Sequence, residues 1–272
     1  MSKQALHKHN VRSVALAASE EKIFEQADAI RSVHPMIGCR KMGYMLRFCG
    51  KGRDKIEHLL LSNGYRVRYA PNYLKTTYSI KQHYYPNLIE GMELTGINQA
   101  IQTDISYYWL KGKFYYLTFI IDVYSRRIIG HHTGLNMQAA CNLKAMKMAL
   151  KTRKAVGMKG LIHHSDRGGQ FIDKDYKKLL AENGIRPSMC KEAWENAYTE
   201  RINRTIKEEY LNAWTMNGYS DLVKAVNKAV KAYNVRPHWN LGLMSPHAFE
   251  EYVENLDKEQ RPKMVIYSAA PK

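Results

Sequence analysis

A chain of 272 residues, 45% of them hydrophobic, has room for one large domain and a smaller one, and its apolar content excludes a disordered chain. Its 42 Lys and Arg against 25 Asp and Glu leave a formal net charge of +17, which points to a polyanionic partner, with nucleic acid first. Four cysteines without a CxxC pair exclude a disulfide framework, and an apolar run no longer than Tyr115 to Ile121 excludes a membrane span.

The first segment, residues 1–33, carries a helix near Glu20 to Ile30 ("EEKIFEQADAI"). Residues 34–69 read as two short helices. One runs from about Arg40 to Phe48 and is broken by Gly50-Lys51-Gly52; the other runs from about Asp54 to Leu61 and stops at Asn63-Gly64. Two helices, a short turn and clustered basic residues resemble a helix-turn-helix, with Arg40, Lys41 and Arg47 as candidate DNA contacts. Residues 1–80 hold 14 Lys and Arg against 6 Asp and Glu, in keeping with that reading. Residues 70–96 contain Pro71, Pro86 and many Tyr and Lys without a helical or strand period, and read as a linker.

From residue 97 the pattern changes. "NQAIQTDISYY" alternates, with Ile101, Thr103 and Ile105 on one face and Gln102, Asp104 and Ser106 on the other. Lys111-Gly112-Lys113 turns into the apolar "FYYLTFIIDVY", and "SRRIIGHHTG" supplies a third strand of an antiparallel meander. A helix over 136–153 follows, then a strand into Asp166, a helix from about Asp173 to Glu182 and a short strand "GIRPSM". A long helix starts near Glu195, and another spans about Ser220 to Tyr233. The order βββαβαβα predicts an α/β, ribonuclease-H-like core over 97–255, a five-stranded mixed sheet flanked by helices and preceded by the small all-α segment. Residues 256–272 read as a C-terminal tail without a motif.

Three acids stand out. Asp104 lies on the polar face of the first strand, Asp166 closes the fourth, and Glu200 sits inside "ENAYTERINRTIKEEYL". In such a sheet the first strand is central and the fourth lies beside it, so Asp104 and Asp166 meet and a helix packed across that edge brings in Glu200. Three converging carboxylates repel one another unless cations lie among them, and hard oxygen donors suit Mg²⁺ or Mn²⁺. Two such ions about 3.5–4 Å apart serve in-line phosphodiester transfer. Glu200, Asn203, Arg204 and Lys207 recur at i, i+3, i+4 and i+7, one polar stripe fit to hold metal at one end and DNA along the rest; a solvated surface face is the plain alternative.

Other acids and ligands fit less well. Asp122 reads as a turn or ion-pair residue. Glu195 lies about 140° round the helix from Glu200 and suits the helix N-terminus. His163 and His164 face opposite sides of their strand, so at most one lines the site. His7, His9, Cys39 and Cys49 lack the final CxxC of an integrase zinc domain, and Cys141 and Cys190 are not at zinc-ligand spacing with the histidines, so no structural zinc is expected.

At this point five motifs in register, "TDISYY", "FIIDVYSRRIIG", "IHHSDRGGQF", "ENAYTERINRTIKEEY" and "YNVRPHWNLG", resemble the integrase-type core of bacterial insertion-sequence transposases, specifically the OrfB product of the IS-three family. The helix pair at 34–69 resembles the small helix-turn-helix that precedes that core. The resemblance implies a DDE triad carried onto Asp104, Asp166 and Glu200. It also implies a metal-dependent enzyme, with two Mg²⁺ or Mn²⁺ ions, that frees a 3′-OH at element ends and joins it to another phosphodiester. Lys207 matches a basic position lying along the terminal DNA. The 33 residues between Asp166 and Glu200 are two fewer than the family usually has, a shortening that falls in "CKEAWENA". "ENA" stands where the family often has "DNA", a like-charge exchange. The family further implies a homo-oligomer on DNA and an upstream OrfA product, separate or fused, that recognises terminal repeats. No secretory signal is recognised, so a cytoplasmic setting is expected. A nuclease of the same fold that does not join strands, and an inactive DNA-binding regulator, remain as alternatives.

Overall fold

A computed structural model describes residues 3–67, 85–154, 157–190 and 192–266. The chain divides into two units, Met1–Pro71 and Asn72–Lys272.

The first unit is all helical. Helix α1 spans Lys3–Val33, well beyond the expected Glu20 to Ile30. It runs this far because the stretch is free of Gly and Pro, and it stops before Pro35, whose ring disfavours helical backbone in the residue ahead of it. Ile23 and Ala27 of α1 are buried with Ile37 and with Met42 of α2 (Cys39–Met45) and Ile56 and Leu60 of α3 (Arg53–Ser62). Residues 1–33 and 34–67 therefore share one core, and the expected boundary between them is not a domain boundary. Helix α2 ends three residues before the expected Phe48. Arg47, Phe48 and Cys49 adopt left-handed backbone (φ 47°, 53° and 40°), which reverses the chain and lets Ile56 close on Gly43.

The second unit is built on a five-stranded sheet: β2 (Ala100–Leu110), β3 (Lys113–Asp122), β4 (Ile128–Gly134), β5 (Ile162–Ser165) and β6 (Arg186–Met189), following a short β1 (Glu93–Leu94). The strand order is β4-β3-β2-β5-β6. Strands β2, β3 and β4 form the expected antiparallel meander, and β5 and β6 run parallel to β2. Alternation along β3 decides what packs where. Leu117, Phe119 and Ile121 face α6 (Ala197–Glu209) and α7 (Tyr219–Val235), while Ile120 joins Ile101 against α4 (Ala139–Thr152) and α5 (Lys174–Glu182). Helix α4 lies so close to β4 that a Cβ on Gly130 would stand 2.3 Å from the Ala145 carbonyl oxygen. Among the described residues no helix is long and apolar enough to cross a membrane.

Two expectations are corrected. The linker was placed at 70–96; residues 68–84 lie outside the described residues, but the rest folds onto the core. Leu88 donates its N–H to Ser188 Oγ at 2.9 Å, Ile89 and Leu94 are buried, and β1 pairs antiparallel with β7 (Met264–Val265). The C-terminal tail, 256–272, contains that partner strand, and Ile266 is buried beside it; residues 267–272 lie outside the described residues. Two-residue strands are too short to carry a periodic signal, and each exists only because the other pairs with it. A further helix that the sequence reading lacked, α8 (Pro246–Glu254), starts from Ser245, whose hydroxyl accepts the Ala248 N–H.

Helix α8 is pinned to the sheet through a buried ion network. Glu250 accepts from Arg127 at 2.5 Å, from Ser125 Oγ at 2.6 Å and from both terminal nitrogens of Arg153, which lies 3.6 Å from Asp122. Asp122 also accepts backbone N–H groups from Asn98, Tyr124 and Ser125, as a turn and ion-pair residue does. Burial alone would push the Glu250 carboxyl up, but the bonds and charge of Arg153, with the bonds from Ser125 and Arg127, outweigh it and hold the group below its ordinary value. A depressed acid stabilises the fold above its unfolded value, and that contribution fades as pH falls through its folded value.

Glu250→Gln is therefore expected to cost about 3 kcal/mol at neutral pH in urea unfolding, because it strands buried guanidinium charge. The difference from the unsubstituted chain should shrink as pH drops below about 4.3; a difference that stays flat into acid would contradict the network's role. Gly130→Ala should destabilise by about 1–3 kcal/mol in the same measurement, through overpacking of α4 on β4.

Candidate active site

The polar face of β2 and the C-terminal end of β5 form one wall of the site. Gln102, Asp104 and Ser106 all face α6, whereas Thr103 faces the other way and shares His163 Nε2 with the Tyr176 hydroxyl, at 3.0 and 2.9 Å. The parallel register pairs Thr103 with Ser165, so Asp166 follows β5 beside Asp104. Asp166 accepts the Gly168 N–H at 3.0 Å, and a Cβ on Gly168 would lie 3.0 Å from that same carboxylate oxygen and 2.5 Å from Gln170 Oε1. Gly168 thus lets its backbone reach the acid. Gly169 meets nothing within 4 Å, so only the first glycine of the pair is needed for close approach.

Helix α6 is stapled across this wall by amides. Gln102 Nε2 donates to the Glu195 carbonyl at 3.1 Å, and Asn196 Nδ2 donates to the Thr103 carbonyl at 3.2 Å. Thr199 Oγ1 donates to Asn196 Oδ1 at 2.7 Å. One turn further, Asn203 Nδ2 donates to Asp104 Oδ2 at 2.7 Å, while Ser106 Oγ donates to Asn203 Oδ1 at 3.1 Å. Below these bonds Ile202, Ile206 and Tyr210 sit in the core against β3. Glu200, on the exposed side of the first turn, is carried to the rim by this arrangement.

Burial dominates the electrostatics of the cluster. Burial, with the charges of Asp166 and Glu200 added, pushes Asp104 up to about 7, against the Ile105 N–H and the Lys207 ammonium. Burial raises Asp166 too, opposed by its bond from Gly168, and raises Glu200. Lys207 is lowered by burial, with Asp104 and Glu208 pulling the other way. Among the described residues no three His, Cys, Asp or Glu side chains stand close enough to ligate one ion together. Asp104 therefore feels the charges of the other two acids without the three forming a closed cage. Carboxylate oxygens gathered at one sheet edge and raised by burial are a donor set suited to a hard divalent cation.

The polar stripe of α6 divides. Asn203 was expected to touch DNA, but it is 4% exposed with both ends of its amide used inside the protein, which makes it a positioning residue for Asp104. The stripe runs along the border between the sheet-facing and open sides of the helix, and i+3 falls inside it. Arg204 is exposed and bonds Glu208 at 3.0 Å, and Lys207 is partly buried beside Asp104. Glu195 was placed in the helix, yet it lies in a 3₁₀ turn (Ala193–Asn196) ahead of it, and it is buried. His163 and His164 are both buried, lowered by burial to about 3 and about 4; His163 bonds Thr103 and Tyr176 on the opposite face, while His164 lies in register with Gln102 with its Nδ1 bonded to Ser188 Oγ. In the helical unit Arg40 and Arg47 are exposed, Arg40 pairing with Glu57 at 2.9 Å, and Lys41 is partly buried. The polar alternation of β2 sets Gln102 and Ser106 on the face of Asp104 without marking them as site residues, and Asn196 carries no such signal.

Similarity to known proteins bears on this geometry. Residues 95–193 and 183–246 each match a family model described as integrase core domain. The chain is 30% identical over 206 residues to the insertion element IS600 uncharacterized 31 kDa protein of Shigella sonnei, covering 74% of this chain and 75% of that protein. It is 30% identical over 209 residues to the transposase for insertion sequence element IS904 of Lactococcus lactis subsp. lactis, covering 73% of this chain and 79% of that one. Among solved structures, the HTLV-2 integrase catalytic core domain in complex with magnesium matches with a TM-score of 0.47 and 20% identity, over 60% of this chain and 99% of that one. With relatives of this identity and coverage, and an integrase core matched across the carboxylate site, the chain belongs to the integrase-core transposases of bacterial insertion sequences.

Proposed function

We propose that this chain cuts one DNA strand at each end of its insertion element and joins the freed 3′-OH to target DNA, using Asp104, Asp166 and Glu200 as a DDE triad. In the first step water attacks the end phosphodiester and the 3′-oxygen leaves with a proton. In the second, that hydroxyl attacks a target phosphodiester, one P–O bond forms as another breaks, and no protein–DNA bond intervenes. The observation that carries the reading is the meeting of β2, β5 and α6: the parallel register sets Asp166 beside Asp104, and Asn203 ties Asp104 to the helix that bears Glu200, with burial and then the charges of Asp166 and Glu200 raising Asp104 to about 7.

The three carboxylates would hold two Mg²⁺ or Mn²⁺ ions, which supply Lewis-acid activation of the attacking oxygen and stabilisation of the leaving one. The chain's own residues do the rest. Asn203 and Ser106 fix the orientation of Asp104, and the Gly168 N–H fixes Asp166. Arg204 and Lys207 meet DNA phosphates along the C-terminal half of α6, one and two turns beyond Glu200, and Arg40, Lys41 and Arg47 of the helical unit contact flanking DNA. Joining two element ends in one event calls for at least two copies of the chain on DNA, with an upstream OrfA product or fusion recognising the terminal repeats.

Three outcomes test this. Asp166→Asn should abolish joined product from a labelled element-end oligonucleotide in Mg²⁺ while retaining DNA binding; products equal to those of the unsubstituted chain would remove Asp166 from the site, and nicking without joining by the unsubstituted chain would favour the nuclease reading. Asn203→Ala should lower joining about 10–100-fold and raise the metal concentration needed for half-maximal rate, as expected of a residue that orients a ligand; a lower rate with an unchanged metal requirement would contradict it. Finally, Mg²⁺ should raise the thermal unfolding midpoint of the unsubstituted chain but not of Asp104→Asn, and an equal rise in both would place the ion elsewhere.

A further inference from the structure

Among the described residues, the sheet face covered by α4 has no helix over it toward the β2–β3 turn. Helix α4 begins at Ala139, with Asn142 bonded to Thr118 of β3 at 3.0 Å. A Cβ on Gly134 would meet Cys141 Sγ at 2.5 Å, so the helix start closes on the sheet here. Thr118 pairs with Ile105, and Gly134 pairs with Tyr116. Beyond that line the same face continues through the cross-strand pairs Tyr107–Tyr116 and Trp109–Phe114. The alternate residues, Tyr108, Leu110 and Tyr115, pack into the α6–α7 core, so the outward direction of the others is set by the sheet.

Trp109 and Phe114 are 58% and 51% exposed, with ring centroids 4.5 Å apart, and Tyr107 stands edge-on to Phe114 at 5.7 Å. The turn itself is Lys111-Gly112 in left-handed backbone (φ 49° and 79°), followed by Lys113, and both lysines are exposed. From Ile105 to Ile121 the sequence contains no Asp or Glu. Rings held open to solvent on a rigid hairpin add nothing to the core. Beside two ammonium groups they match a ligand that is flat and apolar on its faces and anionic along its backbone. A second copy docking here through its own hairpin would set lysine against lysine, whereas a nucleic-acid strand complements both features.

We propose that the β2–β3 hairpin is a second DNA contact, in which Trp109 and Phe114 stack on unpaired bases and Lys111 and Lys113 meet the adjacent phosphates. The inference rests on the DNA-processing reading given above. It adds a site for single-stranded DNA, such as a frayed end or flank, at a distance from the acids.

The test uses the full chain and two fluorescein-labelled probes, a blunt duplex and the same duplex carrying a single-stranded tail, read by anisotropy. Trp109→Ala/Phe114→Ala should weaken binding of the tailed probe about tenfold or more and leave the blunt duplex within about twofold. Unchanged affinity for the tail, or equal loss on both probes, would overturn the stacking site. Loss of a dimer in the double variant with tail affinity kept would instead make the patch an interface between copies. Because both rings are exposed, the variant should keep the far-ultraviolet dichroism of the parent. As a second probe of the same site with the rings intact, Lys111→Gln/Lys113→Gln should weaken the tailed probe and flatten its salt dependence, and an unchanged salt slope would overturn the phosphate contacts. If the unsubstituted chain binds neither probe, the DNA reading itself fails; if it binds both and the ring variant does not discriminate, only the hairpin site fails.

Discussion

Everything at the acid site depends on bringing helix α6 against the polar face of β2. The structure does this with amides and hydroxyls. Gln102, Asn196, Thr199, Asn203 and Ser106 supply the bonds that seat the helix. A cation bonded to Asp104 from position 203 would offset the charge of the acid. A neutral amide orients Asp104 and leaves its charge to be met from outside. The Lys207 ammonium opposes the rise of Asp104, and burial lowers Lys207 in turn.

A second acid cluster in the same unit makes the contrast plain. Asp122 and Glu250 are more deeply buried than Asp104, yet they are surrounded by Arg127, Arg153, Ser125 and backbone N–H groups. Their charge is spent internally, and the result is mechanical: α8 is fastened to the end of the sheet. Acids matched by guanidinium groups hold a fold together, and acids left in one another's company are available for chemistry.

The basic surplus is spread over several parts of the chain. The helical unit presents Arg40 and Arg47, helix α6 presents Arg204 beside the acids, and the β2–β3 hairpin presents two lysines next to open rings. Strand β2 connects two of these places. Its middle carries Asp104 toward α6, and its end carries Trp109 toward the opposite face, because successive residues of a strand point to opposite sides.

The sequence by itself determined the parts whose signal is local. Alternation along 99–106 put Asp104 on the polar face, the apolar run to Asp122 made a central strand, and the order of strands and helices led to a mixed sheet with β2 in the middle. Asp166 at a strand end and Glu200 in a helix were legible for the same reason. Other features became visible only when distant residues met. The 70–96 and 256–272 segments carry no period, yet Glu93–Leu94 and Met264–Val265 complete each other as strands. Asn203 belongs to a helical polar stripe in sequence, but its direction was decided by how α6 rotates against β2, which depends on where Ile202, Ile206 and Tyr210 find the core. Periodicity reports which residues share a face. It takes packing to decide what that face touches, and hence whether a polar side chain meets solvent, a phosphate or a buried acid.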